Sequence, residues 1–164
     1  MIVARIVKAA LAGSVAVFAL LVTFDNITDY RSNYTFVQHV LSMDTTFPGN
    51  ALMYRAITNP ALWNAGYLLI IFGEGLTGFA WMIGCVQMLN SLRASPVVFN
   101  RSKRFVVLGA GLGFSVWYCA FTVVGGEWFL MWQSPTWNGQ LAAFKVYMTL
   151  LGVLIFVNQA DGEL

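Results

Sequence analysis

The sequence is poor in charge, in histidine and in cysteine. Only 10% of its 164 residues are charged, and it has a single histidine, His39, and two cysteines, Cys85 and Cys119. One histidine excludes a haem held by two axial histidines and a histidine-rich zinc site. The cysteines lie on predicted helices that run in opposite directions, at different depths, so no disulfide is expected. We therefore expect neither a metal nor another cofactor.

Local signatures of catalysis are also missing. The sequence contains no GxSxG, HExxH, P-loop or dinucleotide-binding motif, and no dense run of lysine and arginine. It therefore predicts a protein that is not an enzyme and that has no nucleic-acid partner. Asn26-Ile27-Thr28 and Asn33-Tyr34-Thr35 match the glycosylation sequon, a short pattern that matters only in a eukaryotic secretory pathway.

Apolar residues, by contrast, are abundant. They make up 59% of the chain, and the mean hydropathy is +0.70. A soluble domain has about 45–50% apolar residues, and a small one buries only about two-thirds of its surface on folding. The composition therefore predicts a membrane protein whose first partner is the lipid bilayer.

Four apolar segments match the roughly 20 residues that cross a bilayer as a helix. They span residues 6–24, 62–89, 105–124 and 141–157. Backbone polar groups must be satisfied within each segment, which excludes isolated strands. We predict an all-α, integral membrane four-helix bundle, a single domain over residues 1–164. Its outer loops would be residues 25–61 and 125–140.

The positions of basic and aromatic residues predict the orientation of the bundle. Arg5 and Lys8 precede or begin the first segment, which lacks a cleavage site and is read as an uncleaved helix. The loop after the second segment carries four basic residues and no acid: Arg93, Arg101, Lys103 and Arg104. Both termini are therefore expected to be cytoplasmic. Four tryptophans are expected at the outer membrane interface: Trp63, Trp128, Trp132 and Trp137.

The long first loop has its own helical pattern. In NYTFVQHVLSM, residues 33–43, apolar side chains recur at helical spacing, which predicts a short amphipathic helix at the interface. A second short helix is expected in DTTFPGNALMYRAI, residues 44–57. The loop is therefore predicted to be partly helical, either as a cap over the bundle or as a docking surface for another protein.

Small residues form a stripe along the second predicted helix. The stripe consists of Gly66, Gly73, Thr77, Ala80 and Gly84, and the third helix offers Gly109 and Gly113. Small residues let helix backbones approach closely in lipid. The stripe is predicted to pack within the bundle, with an oligomer interface as the alternative.

A carboxylate interrupts the second apolar segment. In LLIIFGEGLTGF, residues 68–79, Glu74 lies between two glycines at membrane depth. A charge there costs several kcal/mol, so such residues usually face the bundle interior, pair or titrate. One hypothesis is a structural hydrogen bond to a neighbouring helix, with Ser115 or Tyr118 as partner. The others are a proton- or ligand-linked role and contact with a partner subunit.

A second polar pair is predicted near the outer surface. Glu127 and Lys145 lie on either side of the loop that joins the third and fourth segments. Opposite charges at these positions favour a polar contact between the two residues that closes this helical hairpin.

Two stretches of the sequence, FDNITDYRSNYTFVQHVLSMDTTFPGNALMYRAITNPALWNAGY and EWFLMWQSPTWNGQLAAFK, are distinctive. They resemble the bacterial predicted small integral membrane proteins catalogued as domain of unknown function 2165. The resemblance covers essentially the whole chain and implies a four-helix protein of the bacterial inner membrane. It implies no activity and no catalytic residue.

Two functions from different classes fit these observations. The first is a non-catalytic accessory or assembly subunit of a larger inner-membrane complex, which docks through its transmembrane helices and outer loop. The alternative is a small oligomeric carrier or channel in which Glu74 titrates. The sequence shows no inverted repeat or pair of broken helices, which are the usual signs of a transporter.

Overall fold

A computed structural model describes residues 2–162, and within this range the chain is helical with no strand. The elements, in chain order, are α1 (Ile2–Thr28), α2 (Tyr30–Ser42), α3 (Pro60–Asn90), α4 (Pro96–Ser102), α5 (Arg104–Phe114), a π-helix (Ser115–Trp128) and α6 (Gln140–Asn158). Single 3₁₀ turns lie at Met53–Arg55 and Met131–Gln133.

Four helices are long and apolar enough to cross a membrane. They are α1, α3, the run Pro96–Trp128 that joins α4, α5 and the π-helix, and α6. This confirms the predicted all-helical fold with four apolar spans. Each helix extends beyond its predicted bounds, because helical hydrogen bonding continues into polar residues that a hydropathy criterion leaves out.

The two ends of the bundle are structurally different. The terminus end holds both ends of the described chain, where Arg5 Nη2 donates to the carbonyl of Gly162 at 3.2 Å. The opposite end is covered by a cap, defined as α2 with residues 43–59 and 129–139. The cap has its own apolar cluster of Val40, Met43, Phe129, Leu130 and Met131.

α3 is the central helix, because it packs against both α1 and α5. Its N-terminus is fixed by Asn59, whose side chain accepts from the amide of Ala61 at 2.9 Å, with Pro60 in the first turn. On the α1 side, a Cβ at Gly78 would lie 2.7 Å from Leu20 Cγ and 3.0 Å from the Leu20 amide nitrogen. The buried residues of α1 include four alanines, and small side chains of this kind let helix backbones come close together.

The predicted stripe of small residues packs mostly against the third span. A Cβ at Gly84 would lie 2.7 Å from Val106 Cγ2, and one at Gly109 would lie 2.6 Å from Trp81 Cδ1. Three further members of the predicted set lie along the same seam, since Gly73 faces Val116 and Gly113 faces Thr77, and a fourth member, Ala80, is buried. Gly66 differs, because it faces Leu41 of α2.

A buried charged cluster, here called the clasp, closes the terminus end. One oxygen of Asp161 lies 2.8 Å from Lys8 Nζ and 2.5 Å from Lys103 Nζ. Arg5 adds hydrogen bonds to the carbonyls of Leu92 and Ala94, at 2.9 and 2.7 Å. All four charged residues are at most 6% exposed. The clasp therefore ties α1, the turn after α3, the start of α5 and the residues after α6 into one unit.

Candidate functional site

Glu74 lies close to the middle of α3. It is fourteen positions after Pro60 and sixteen before Asn90, which places it about 21 and 24 Å from the two helix ends. The residue is 3% exposed. It is therefore a deeply buried acid on the central helix of the bundle.

The hydrogen-bond partner of Glu74 comes from the last turn of α1. Asn26 Nδ2 donates to Glu74 Oε2 at 2.7 Å, and Asn26 is itself 5% exposed. Asn33 of α2 in turn donates from Nδ2 to Asn26 Oδ1 at 2.6 Å. Asn26 thus links the acid of α3 to both α1 and α2.

Tyr67 completes this polar network from the same face of α3. Its hydroxyl lies 3.1 Å from the carbonyl oxygen of Asn26 and 3.3 Å from Asn26 Oδ1, and the residue is 1% exposed. The ring packs against Tyr30 and Tyr34 of α2, with centroids 4.7 and 6.5 Å apart. Asn33 is exposed, so the network extends from the buried acid to the surface of α2. We call Asn26, Asn33, Tyr67 and Glu74 the polar network.

A cavity of about 310 Å³ lies beside the polar network. All four members of the network line it, and the remaining walls come mainly from apolar side chains of α1, α2, α3, the π-helix and α6. Known small-molecule sites have about 300–1,000 Å³ and combine apolar walls with a few polar groups. This cavity matches that description at the lower end of the size range.

One wall of the cavity is formed by the π-helix. It runs for 14 residues, whereas π-helical geometry usually occurs as a single turn inside an α-helix, frequently at functional sites. Trp117 and Phe121 of this helix line the cavity. Val116 lies against Gly73, where a Cβ would be 2.6 Å from Val116 Cγ2. The wide helix therefore contacts α3 next to Glu74.

The partners of Glu74 are neutral. No ion pair within residues 2–162 involves this carboxyl group, and its hydrogen-bond donor is an amide. A charge at membrane depth costs several kcal/mol, and an amide offsets less of that cost than a cation would. The arrangement suits a group that exchanges a proton or binds a hydrogen-bond donor, and it equally suits a structural bond between helices.

The structure gives Glu74 a different partner from those predicted. Ser115 Oγ donates to the carbonyl of Gly111 at 2.9 Å, and Tyr118 stacks on Phe114 with centroids 4.6 Å apart. The serine uses its hydroxyl within its own helix, as is common in apolar helices. The partner comes instead from α1, which continues four residues beyond its predicted end.

The predicted pair of Glu127 and Lys145 is not brought together. Both residues are exposed, and no ion pair joins them in the described part of the chain. Residues 129–139 join the π-helix to α6 and form part of the cap, and the two helices pack against each other. Glu127 and Lys145 lie on exposed faces of these helices and not on the faces that pack together.

The four predicted interface tryptophans all lie at the cap end. Trp63 Nε1 donates to the carbonyl of Ile57 at 2.6 Å, and Trp137 stacks on His39 with centroids 4.6 Å apart. Trp128 and Trp132 are about half exposed. Two of them therefore help to hold the cap, and two remain on its surface.

Three members of the polar network were not predicted from the sequence. Asn26 and Asn33 matched the sequon, but both amide nitrogens donate hydrogen bonds inside the protein. Their seven-residue spacing gave no usable signal, because α1 ends at Thr28 and α2 begins at Tyr30, so the two amides lie on different helices. Tyr67 had no distinguishing signal, because a tyrosine near the end of a span also fits the membrane interface.

Comparison with known proteins identifies the family. Residues 4–160 match the family described as predicted small integral membrane protein, domain of unknown function 2165, and the chain belongs to it. Neither curated proteins nor solved structures give a match.

Proposed function

We propose that this integral membrane protein is a non-catalytic accessory or assembly subunit of a larger complex of the bacterial inner membrane. The observation that carries the proposal is the exposed aromatic surface formed by the cap and the adjoining end of the π-helix. Its large side chains are Phe47, Tyr54, Trp128 and Trp132, whose exposed fractions are 55%, 76%, 52% and 46%. A cap built only to close the bundle would not need so many exposed rings.

The arrangement of these rings supports docking of another protein. The Arg55 guanidinium lies 4.6 Å from the Trp128 ring and 5.6 Å from the Tyr54 ring, and the rings of Phe47 and Trp132 meet edge to face. Tryptophan, tyrosine and arginine are the residues that most often carry binding energy at protein interfaces. We call Phe47, Tyr54, Arg55, Trp128 and Trp132 the cap surface.

The proposed orientation has both termini in the cytoplasm and the cap outside. The basic residues of the second loop support it, because cytoplasmic loops are enriched in lysine and arginine. Two reporters fused in turn after residue 162 test this directly. One reporter is active only in the cytoplasm, and the other, the external reporter, is active only outside. Activity of the external reporter would overturn the orientation.

The subunit proposal is tested by gentle extraction of the tagged protein from its native membranes, followed by mass spectrometry. We expect other membrane proteins at fixed stoichiometry. The double variant Tyr54→Ala/Trp128→Ala should release them. The control Phe72→Ala/Phe79→Ala removes two rings, 63% and 61% exposed, from the membrane-spanning part of α3. This control variant should retain the bound membrane proteins. Elution of the wild-type protein alone, or only with copies of itself, would overturn the proposal.

A second candidate is a small oligomeric carrier or channel in which Glu74 titrates. The cavity of about 310 Å³ beside this acid favours it. The test is Glu74→Gln in a flux assay with reconstituted vesicles. Loss of flux in a variant that still folds supports the carrier. If neither the wild-type protein nor the variant carries protons or solute, the result counts against the carrier.

A further inference from the structure

A second cavity, of about 610 Å³, lies at the terminus end between α3, α4, α5 and α6. Most of its lining residues lie far in sequence from those of the polar network, and most of them are polar or basic. Its polar walls include Gln87, Asn90, Arg101, Arg104 and Asn158. Asn90 and Asn158 are the last residues of α3 and α6, so the cavity lies where two membrane spans end.

The charge around this cavity is strongly positive. Residues 91–104 carry four basic side chains and no acid. The one nearby carboxylate within residues 2–162, Asp161, is already bound by Lys8 and Lys103. No acidic side chain is among the described residues that line the cavity, so its positive charge is not neutralised there.

The two arginines are the groups that remain free to bind an anion. Lys103 Nζ already donates to Asn100 Oδ1, to the carbonyl of Gln159 and to Asp161, which uses its three protons. Arg101 and Arg104, by contrast, are exposed and form no ion pair with any described residue. They are three positions apart, which on a helical path places them on neighbouring positions of one face. Guanidinium groups bind phosphate oxygens in a bidentate manner.

Part of the cavity wall is apolar. Val98 and Val107 line it and are 50% and 44% exposed. Free phosphate gains nothing from contact with valine side chains. A phospholipid does, because its glycerol and acyl carbons continue from the phosphate into the hydrocarbon region.

We propose that this cavity binds the head group of an anionic phospholipid, with Arg101 and Arg104 on the phosphate and Val98 and Val107 against the glycerol and first acyl carbons. The amides of Gln87, Asn90 and Asn158 supply neutral hydrogen bonds to the polar head group. Basic pockets between transmembrane helices are known to select anionic lipids in this way.

The test uses the full chain, purified in a neutral detergent and stripped of lipid. Phosphatidylglycerol and phosphatidylcholine with identical acyl chains are added in competition, and bound lipid is counted by native mass spectrometry. We expect a preference for phosphatidylglycerol of about tenfold in the wild-type protein, since each basic residue near the head group adds attraction. The variant Arg101→Gln/Arg104→Gln should lower this preference to near unity.

The matched control is Arg93→Gln combined with Arg31→Gln, which removes the same charge from two exposed arginines outside the cavity. It should keep the preference. Equal loss in the control would show that diffuse surface charge selects the lipid, and would overturn the site. Inorganic phosphate and glycerol 3-phosphate form a further arm. If millimolar amounts of either displace phosphatidylglycerol completely, the site binds a free anion and the lipid proposal fails.

Discussion

The clasp and the polar network both join distant parts of the chain, but they do so with different chemistry. The clasp uses full charges at the terminus end, where Asp161 binds Lys8 and Lys103. The polar network lies near the middle of α3 and combines one acid with two amides and a phenol. Asp161 lines neither of the two cavities described above, whereas Glu74 faces one of them.

Membrane depth explains the difference. Near the ends of the spans, lysine and arginine can lie within reach of water, and an ion pair is tolerated. Near the middle of a span, each buried charge costs several kcal/mol, so neutral hydrogen-bond partners are favoured. A charged cluster of this kind holds one arrangement. A neutral network beside a cavity keeps the capacity to change its protonation or its partner.

The largest effect is expected when the clasp loses its anion. Asp161→Asn leaves two buried lysines without their carboxylate, and we expect a loss of about 3 kcal/mol in unfolding free energy. Thermal unfolding in detergent micelles measures it. The control Asp44→Asn breaks the exposed pair with His39 and should cost less than about 1 kcal/mol. Equal costs for the two substitutions would show that the clasp does not hold the termini.

A smaller effect is expected in the polar network. Asn26→Leu keeps the branched shape of the side chain but removes the donor to Glu74 and the acceptor of Asn33, which should cost about 2 kcal/mol. The double variant Asn26→Leu/Glu74→Leu should recover part of that loss, because the acid no longer faces an apolar partner. Strictly additive losses in unfolding experiments would mean that the two side chains do not stabilise each other.

Acid should weaken the clasp in a defined pH range. Burial alone would raise the pKa of Asp161, but the hydrogen bonds and charges of Lys103 and Lys8 outweigh it and hold the pKa below its usual value. A lowered pKa in the folded state means that the stabilisation is complete above the unfolded pKa and is lost as the pH falls through the folded one.

We therefore expect the difference in Tm between the wild-type protein and Asp161→Asn to be constant at neutral pH. It should shrink below about pH 4. A difference that stays constant down to about pH 2 would contradict the pairing of Asp161 with the lysines.

The smallest effect is expected for Glu74→Gln. The glutamine carbonyl can still accept from Asn26, and its amide replaces the second carboxyl oxygen, so unfolding free energy should change by less than about 1 kcal/mol. Glu74→Leu, which removes the acceptor, should cost more. If the glutamine variant is as unstable as the leucine variant, the acid itself, and not its hydrogen bond, holds the helices.

The four spans were predictable because a run of about 20 consecutive apolar residues is rarely anything but a membrane-crossing helix. The partner of Glu74 could not be predicted in this way. Asn26 lies outside the apolar segment 6–24, although α1 continues through it. The clasp was hidden for another reason. Arg5 and Lys8 were interpreted through orientation alone, and their contacts with Leu92, Ala94 and Asp161 join parts of the chain that are far apart in sequence.

The π-helix was also beyond prediction from one sequence. Residues 115–124 were predicted as part of an ordinary apolar helix and residues 125–128 as loop, since hydropathy does not distinguish which carbonyl each amide reaches. The close approach of Val116 to Gly73 belongs to this wider helix. Such long-range packing choices are decided by the whole bundle and leave no local pattern.

The clasp also has a consequence for how the protein is made. Asp161 follows the last span in chain order, so a ribosome delivers Lys8 and Lys103 to the membrane long before their counter-ion exists. Until then the terminus end of α1 is held by its packing on α3 and by the hydrogen bonds of Arg5 to Leu92 and Ala94. The two lysines gain their shared carboxylate last, so the clasp closes only when translation has passed residue 161.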